Sequence, residues 1–124
     1  MIEKQDYLLS FNFLLKKFIK HNKKVRKIKD YTLSFDDYNF FSFYNILQDD
    51  FDIESMVIRL DDWEDIEELT FPAIAFLNIN GGMFVIISDY KDGKIYWENR
   101  EFGKQTNTIK LFKRISEGIF LVPA

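Results

Sequence analysis

Between Asp6 and Lys20, apolar side chains recur at intervals of three and four: Tyr7, Leu8, Phe11, Leu14, Leu15, Phe18 and Ile19. That spacing predicts an amphipathic helix with a broad buried stripe. Lys16, Lys17 and Lys20 lie toward its C-terminal end, where the helix dipole favours cations. The stretch HNKK, from His21 to Lys24, breaks it. Val25 to Leu33 has the pattern of a short second helix. Ser34 or Asn39 can cap the next one, through FFSFYNILQDD, with Phe40, Phe43, Tyr44 and Leu47 on one face.

The period changes at Glu54. Met56, Ile58 and Leu60 alternate with Ser55, Val57 and Arg59, which predicts a strand. DDWEDIEEL places Trp63, Ile66 and Leu69 three apart and reads as a helical turn. Pro72 opens PAIAFLNI, a strand apolar on both faces and therefore central. Asn80-Gly81-Gly82 supplies the positive φ of a tight hairpin turn, and Met83 to Tyr90 is the partner strand. Asp92-Gly93 makes a second such turn before a strand from Lys94 to Glu98. Ile109 to Ile115 is a short helix or a strand, and Gly118 to Val122 a last strand. Helices come first and an antiparallel sheet second, so the predicted class is α+β.

The 124 residues, 47% hydrophobic and 18% aromatic with 14 phenylalanines, suit one packed domain over residues 1–124. A net charge of −3 gives no general grip on nucleic acid. Lys and Arg crowd the stretch from Lys16 to Lys29, either as a solvated helix end or as a patch for an acidic partner or lipid headgroups. The chain holds no cysteine, which excludes disulfides, a thiolate nucleophile and a zinc site built of cysteines. No apolar run approaches the ~18 residues of a membrane span. The charged start MIEKQDY lacks a signal-peptide core, so the expected location is the cytosol, as a domain that can belong to a longer protein.

Few residues suggest chemistry on their own. His21, the one histidine, stands among lysines with no carboxylate at triad spacing and reads as an exposed cap or loop residue. Asp49, Asp50 and Asp52 resemble part of a calcium loop but lack its glycine and distal glutamate, so they read as a polar helix end. Asp61, Asp62, Glu64, Asp65, Glu67 and Glu68 form an acidic cluster without histidine, the pattern of a solvated face. Asn80-Gly81-Gly82 is too short for a phosphate loop and does not precede a helix. No metal or cofactor is expected.

The ordered series of segments nevertheless resembles a family. QDYLL (Gln5 to Leu9), PAIAF (Pro72 to Phe76), NGGMFVII (Asn80 to Ile87), GKIYWENRE (Gly93 to Glu101) and SEGIFLV (Ser116 to Val122) follow the order seen in C39-type peptidase domains. These are papain-like domains that cut double-glycine leader peptides on bacteriocin-exporting ABC transporters. Related domains are fused to vitamin K epoxide reductase-like and thioredoxin-like modules. The resemblance is carried by the series and not by any one motif, and it is stronger from Ile53 onward.

That resemblance implies a papain-like α+β fold and places the family's nucleophilic cysteine on Tyr7, its catalytic histidine on Met83 and its orienting aspartate on Asn99. Gln5 falls near the oxyanion-hole glutamine. A cysteine protease needs a thiolate, a base and a group that holds the base. A phenol with a pKa of about 10 beside a thioether supplies none of these. The expectation is therefore a non-catalytic domain for peptide recognition or docking in an export or membrane thiol-oxidising system. Its partner would be an exported peptide segment or an adjacent domain of a membrane protein. Tyr7, Met83, Tyr96 and Trp97 are its candidate peptide-binding residues, with Trp63 as a further aromatic anchor. Two rivals stand beside it: a purely structural cap, and a hydrolase using carboxylates of the acidic turn.

Overall fold

The computed structural model describes residues 6–20 and 28–124. Gln5, His21 and half of the expected basic cluster, Lys23, Lys24, Arg26 and Lys27, lie outside them. The elements run α1 (Asp6–Ile19), a 3-10 turn (Phe35–Asp37), α2 (Phe40–Phe51), β1 (Ser55–Arg59), a second 3-10 turn (Trp63–Glu68), β2 (Ala73–Leu77), β3 (Met83–Lys91), β4 (Lys94–Asn99), β5 (Gly103–Thr108), α3 (Ile109–Ile115) and β6 (Ser116–Pro123). The six strands form one sheet in the order β1-β6-β2-β3-β4-β5. Every neighbouring pair is antiparallel. The α+β class follows from this arrangement.

Central β2 and β3 are buried on both faces because each face meets its own core. On one face, Phe11, Leu14, Leu15 and Phe18 of α1 and Phe43 and Leu47 of α2 pack against Ile74, Phe84 and Ile86. On the other, Ala75, Met83, Val85, Ile87 and Trp97 pack with Ile66 of the second 3-10 turn and Phe112 of α3. The apolar stripe expected on α1 is therefore the stripe that covers the sheet. Trp63 stands edge-on to Phe112 and Phe120, with ring centroids 6.1 and 6.0 Å away, so this half-buried ring packs against the second core.

The turns form where the sequence placed them. Asn80, Gly81 and Gly82 have φ of 53°, 82° and 96°, and Asp92-Gly93 has 54° and 74°. Asn39 is the cap of α2: its Oδ1 accepts the Ser42 N–H at 3.0 Å. Ser34 instead precedes the first 3-10 turn and makes no cap bond. Residues Ile109–Ile115 resolve as a helix, whose cap Thr108 accepts the Leu111 N–H at 3.3 Å.

Three expectations are corrected. Residues 28–33 are not helical; the part of that predicted helix from Val25 to Lys27 lies outside the described residues. Their backbone is bound instead to α1, where buried Asn12 exchanges two hydrogen bonds with Tyr31, Nδ2 to O at 2.9 Å and N to Oδ1 at 2.7 Å. A strand from Gly103 to Thr108 was not expected. Its sequence GKQTNT has no apolar alternation, because an edge strand with mostly exposed residues needs none. On β1, the other edge, Met56 and Val57 are 48% and 47% exposed, so the expected strand forms without the burial alternation of its sequence pattern.

The lysines of α1 are paired rather than free. Lys16 binds Asp30, and Lys17 reaches Glu98 at 3.4 Å while lying 5.5 Å from the Phe13 ring centroid. Asp50 accepts the Tyr31 hydroxyl at 2.7 Å and Asp52 is the left-handed C-cap of α2, in keeping with a polar helix end. Replacing the cap should show directly in stability. Asn39→Ala should cost about 1 kcal/mol in urea unfolding, with an unchanged denaturant slope.

Candidate functional site

Met83 and Asn99 meet at one end of the sheet. The hairpin turn delivers Met83 at the first position of β3, and Asn99 is the last residue of β4. Asn99 is 1% exposed, and its Nδ2 lies 3.3 Å from the Met83 Sδ, to which it donates. Its Oδ1 accepts the Phe102 N–H at 2.9 Å. Both halves of the amide are thus used, one on a soft thioether acceptor and the other on the turn into β5.

Tyr7 lies on α1, near its N-terminus, and its hydroxyl donates to the Leu33 carbonyl at 2.7 Å. Its ring stands edge-on to Phe35 at 5.3 Å and near Tyr38 at 6.4 Å between centroids. Phe35 and Tyr38 in turn wall a cavity of about 250 Å³ together with Phe76, Met83, Phe84 and Glu101. Gly81 and Gly82 complete its rim. Tyr7 is not one of the walls. It reaches the cavity through the two aromatic rings it touches.

Gly82 leaves room for the Phe76 ring that walls the cavity. A Cβ there would come within 2.6 Å of the tip of the Phe76 ring, and φ is +96°. Among the described residues, Glu101 supplies the cavity's one charged wall, and one of its carboxylate oxygens accepts a hydrogen bond from the Ser10 hydroxyl on α1. The Tyr38 phenol is held above the usual phenol range, by burial first and by the negative charge of Glu101 second. Sequence reading missed Phe35, Tyr38 and Glu101. They sit in a connecting segment and just beyond a strand end, where no periodicity marks a side chain as facing inward.

Tyr96 and Trp97 do not join Met83 in this cavity. Trp97 pairs with Ile87, four residues along β3 from Met83, a distance of roughly 13 Å along a strand. The two aromatics line a separate groove with Lys17, Lys20 and Lys104. Trp97 is only 5% exposed, and its indole N–H donates to Asn107 Oδ1 at 2.6 Å. It serves the core and the β4–β5 pairing, a role that its strong strand propensity already allowed.

The acidic turn borders a shallow depression that includes Asp61, Asp62, Glu64 and Glu67 beside Lys113. All four acidic residues are exposed. Asp62 Oδ1 is spent on the Glu64 N–H at 2.9 Å, as the cap of the 3-10 turn. A carboxylate pair for acid–base work needs environments that push the two groups apart, and solvated side chains lack them. Among the described residues, no group of three or more His, Asp or Glu side chains is placed to hold a metal ion. Also among them, no helix is long and apolar enough to cross a membrane.

No family model matches the chain, and no curated protein matches it. Among solved structures it is similar to a double-glycine-motif protease from an AMS/PCAT transporter, determined in complex with the leader peptide. The TM-score is 0.78 at 21% identity, covering 100% of this chain and 90% of that one. The likeness is one of fold: this chain has the α+β, papain-like architecture of the C39 peptidases.

The Met83–Asn99 contact yields a pH test. Asn99→Asp should place a carboxylate where burial raises its pKa and where the Met83 sulfur can donate no proton. Stability should fall by about 1–3 kcal/mol at neutral pH. A raised folded-state pKa means that this loss grows as pH rises above the unfolded value near 4, so stability should recover as the carboxyl protonates in acid. Thermal unfolding of both proteins across that range checks the sign.

Proposed function

We propose that this domain recognises an extended peptide segment without cutting it, using the cavity beside Met83. The observation that carries the reading is the joint change of three roles. The sequence has no cysteine, and Tyr7, Met83 and Asn99 stand at the positions that the resemblance gives to nucleophile, base and orienting group. An amide donating to a thioether at 3.3 Å cannot take a proton from a nucleophile and return it to a leaving amine. Supporting peptide recognition is the transporter protease of similar fold, whose structure holds a leader peptide. In this reading, which extends the family resemblance of the sequence, the domain acts in the cytoplasm, on an exported segment or on an adjoining domain of an export or membrane thiol-oxidising system.

Physical chemistry allows the change of role. Binding a peptide needs apolar walls, backbone partners and a fixed shape, none of which depends on a thiolate. Met83 belongs to one core and Phe84 to the other, with Phe76 and Tyr38 packed against the latter, so that part of the wall persists without the catalytic groups.

Two outcomes are expected. The pure domain, incubated with a fluorogenic double-glycine leader peptide, should bind it without turnover. Saturable, metal-independent cleavage would overturn the non-catalytic reading, and no binding to this or any exported segment would favour the structural cap. Secondly, Tyr7→Cys combined with Met83→His and Asn99→Asp should not create a working protease. The Tyr7 hydroxyl currently holds Leu33, and Met83 is packed in the core, so neither position has the supporting contacts that fix a reacting atom within about half an ångström. Rapid cleavage by the triple variant would show that those contacts are intact.

A further inference from the structure

We propose that the cavity beside Met83 receives the side chain of an arginine from the bound peptide, with Glu101 as its counter-ion and the surrounding aromatic rings as its walls. The inference rests on the peptide-recognition reading and deepens it, by naming the chemistry of the residue that enters.

Size comes first. At about 250 Å³ the cavity lies below the ~300 Å³ at which drug-sized pockets begin, so it holds one long side chain and not a stretch of peptide. Its walls come next. Phe35, Tyr38, Phe76 and Phe84 supply four aromatic rings, and Met83 adds a polarizable sulfur. Phe84 lies 5.0 Å from both Tyr38 and Phe76 between centroids, at interplanar angles of 36° and 68°. Rings set at such different angles offer π surface in more than one direction. Aromatic π faces attract cations, and the planar guanidinium both stacks on them and forks onto a carboxylate.

Charge decides among the remaining ligands. Among the described residues, Glu101 is the one charged residue on the cavity wall, and the hydrogen bond from Ser10 occupies only one of its two oxygens. Its neighbour Arg100 turns to Asp6 instead, at 3.9 Å. An anionic side chain would be repelled by Glu101. Glu101 is exposed, and a neutral apolar side chain would displace the water on its cavity side and return nothing for it. A guanidinium restores that solvation with charge-assisted hydrogen bonds and covers the aromatic walls as well.

The test uses the intact domain and a small probe. N-acetyl-arginine methylamide is titrated and followed through amide chemical shifts, beside N-acetyl-citrulline methylamide, a neutral molecule of nearly the same shape. The arginine probe should shift Gly81, Gly82 and Glu101, and the citrulline probe should bind at least about tenfold more weakly, the loss of one charge-assisted contact. Glu101→Gln keeps an acceptor for the Ser10 hydroxyl and should remove that preference. Phe35→Ala, at a residue 62% exposed and so safe for folding, should weaken the arginine probe several-fold without removing the charge preference. Equal binding of the two probes, an unchanged preference in Glu101→Gln, or shifts confined to the acidic turn would each overturn the inference. A leader peptide that binds here equally well after its arginines are replaced by citrulline would also overturn it, while leaving peptide recognition standing. Arginine-probe binding here by a domain that binds no leader peptide would leave the guanidinium site standing but overturn its assignment to a bound peptide, and with it the peptide reading.

Discussion

The architecture turns on Phe84. Its ring lies 5.0 Å from Tyr38, 5.1 Å from Phe40, 5.8 Å from Phe43 and 5.0 Å from Phe76, all between centroids. Through this one side chain the first 3-10 turn, the start of α2, β2 and β3 are held together. Phe43 also stacks on Phe11 of α1 at 4.4 Å, so the helical layer is keyed to the sheet by aromatic contacts in series. Aromatic pairs contribute beyond their buried area, and a hub of four gives the sheet end a defined shape. That is why a cavity can persist there: Phe76, Phe84 and Tyr38 are fixed from behind, and Gly82 on its rim leaves room for the Phe76 ring.

The neighbouring residue follows from the same constraint. With Phe84 directed to the helices, alternation along β3 turns Met83 toward the opposite face, where it meets Asn99. In the proposed reading, the pair stands where a base and its orienting group would and lacks their chemistry. A thioether neither holds a proton at neutral pH nor needs an ionised partner, and an amide is the buried group that can serve it while satisfying its own oxygen. In the proposed reading, the sheet end has exchanged proton transfer for a dry, satisfied contact, and the adjoining cavity, with a lone carboxylate on an aromatic wall, is what recognises the ligand.

Much of this was legible in the sequence because the signals were periodic. The stripe of α1, the doubly apolar β2, and the glycine turns at Gly81-Gly82 and Asp92-Gly93 each follow from local physics. The polar edge strand β5 was not legible, since pairing with β4 asks only for a free backbone. Nor was the course of residues 28–33, which depends on Asn12 and Tyr7 reaching across from α1 to bind backbone groups. The candidate site was half legible. The order of segments placed Met83 and Asn99 together, but Phe35, Tyr38 and Glu101 reach the cavity through tertiary packing alone. Trp97 carried the aromatic character expected of an anchor and proved to be core, because its indole N–H finds Asn107 inside the sheet.

The most direct test of the central claim is a single titration of the isotope-labelled domain with a double-glycine leader peptide, with the peptide weighed by mass spectrometry at its end. Peptide recognition without cleavage predicts saturable shifts at Phe35, Gly81, Gly82 and Glu101, and a peptide recovered at full length. A peptide severed after its double glycine would contradict the account, as would saturable binding that leaves those residues unmoved.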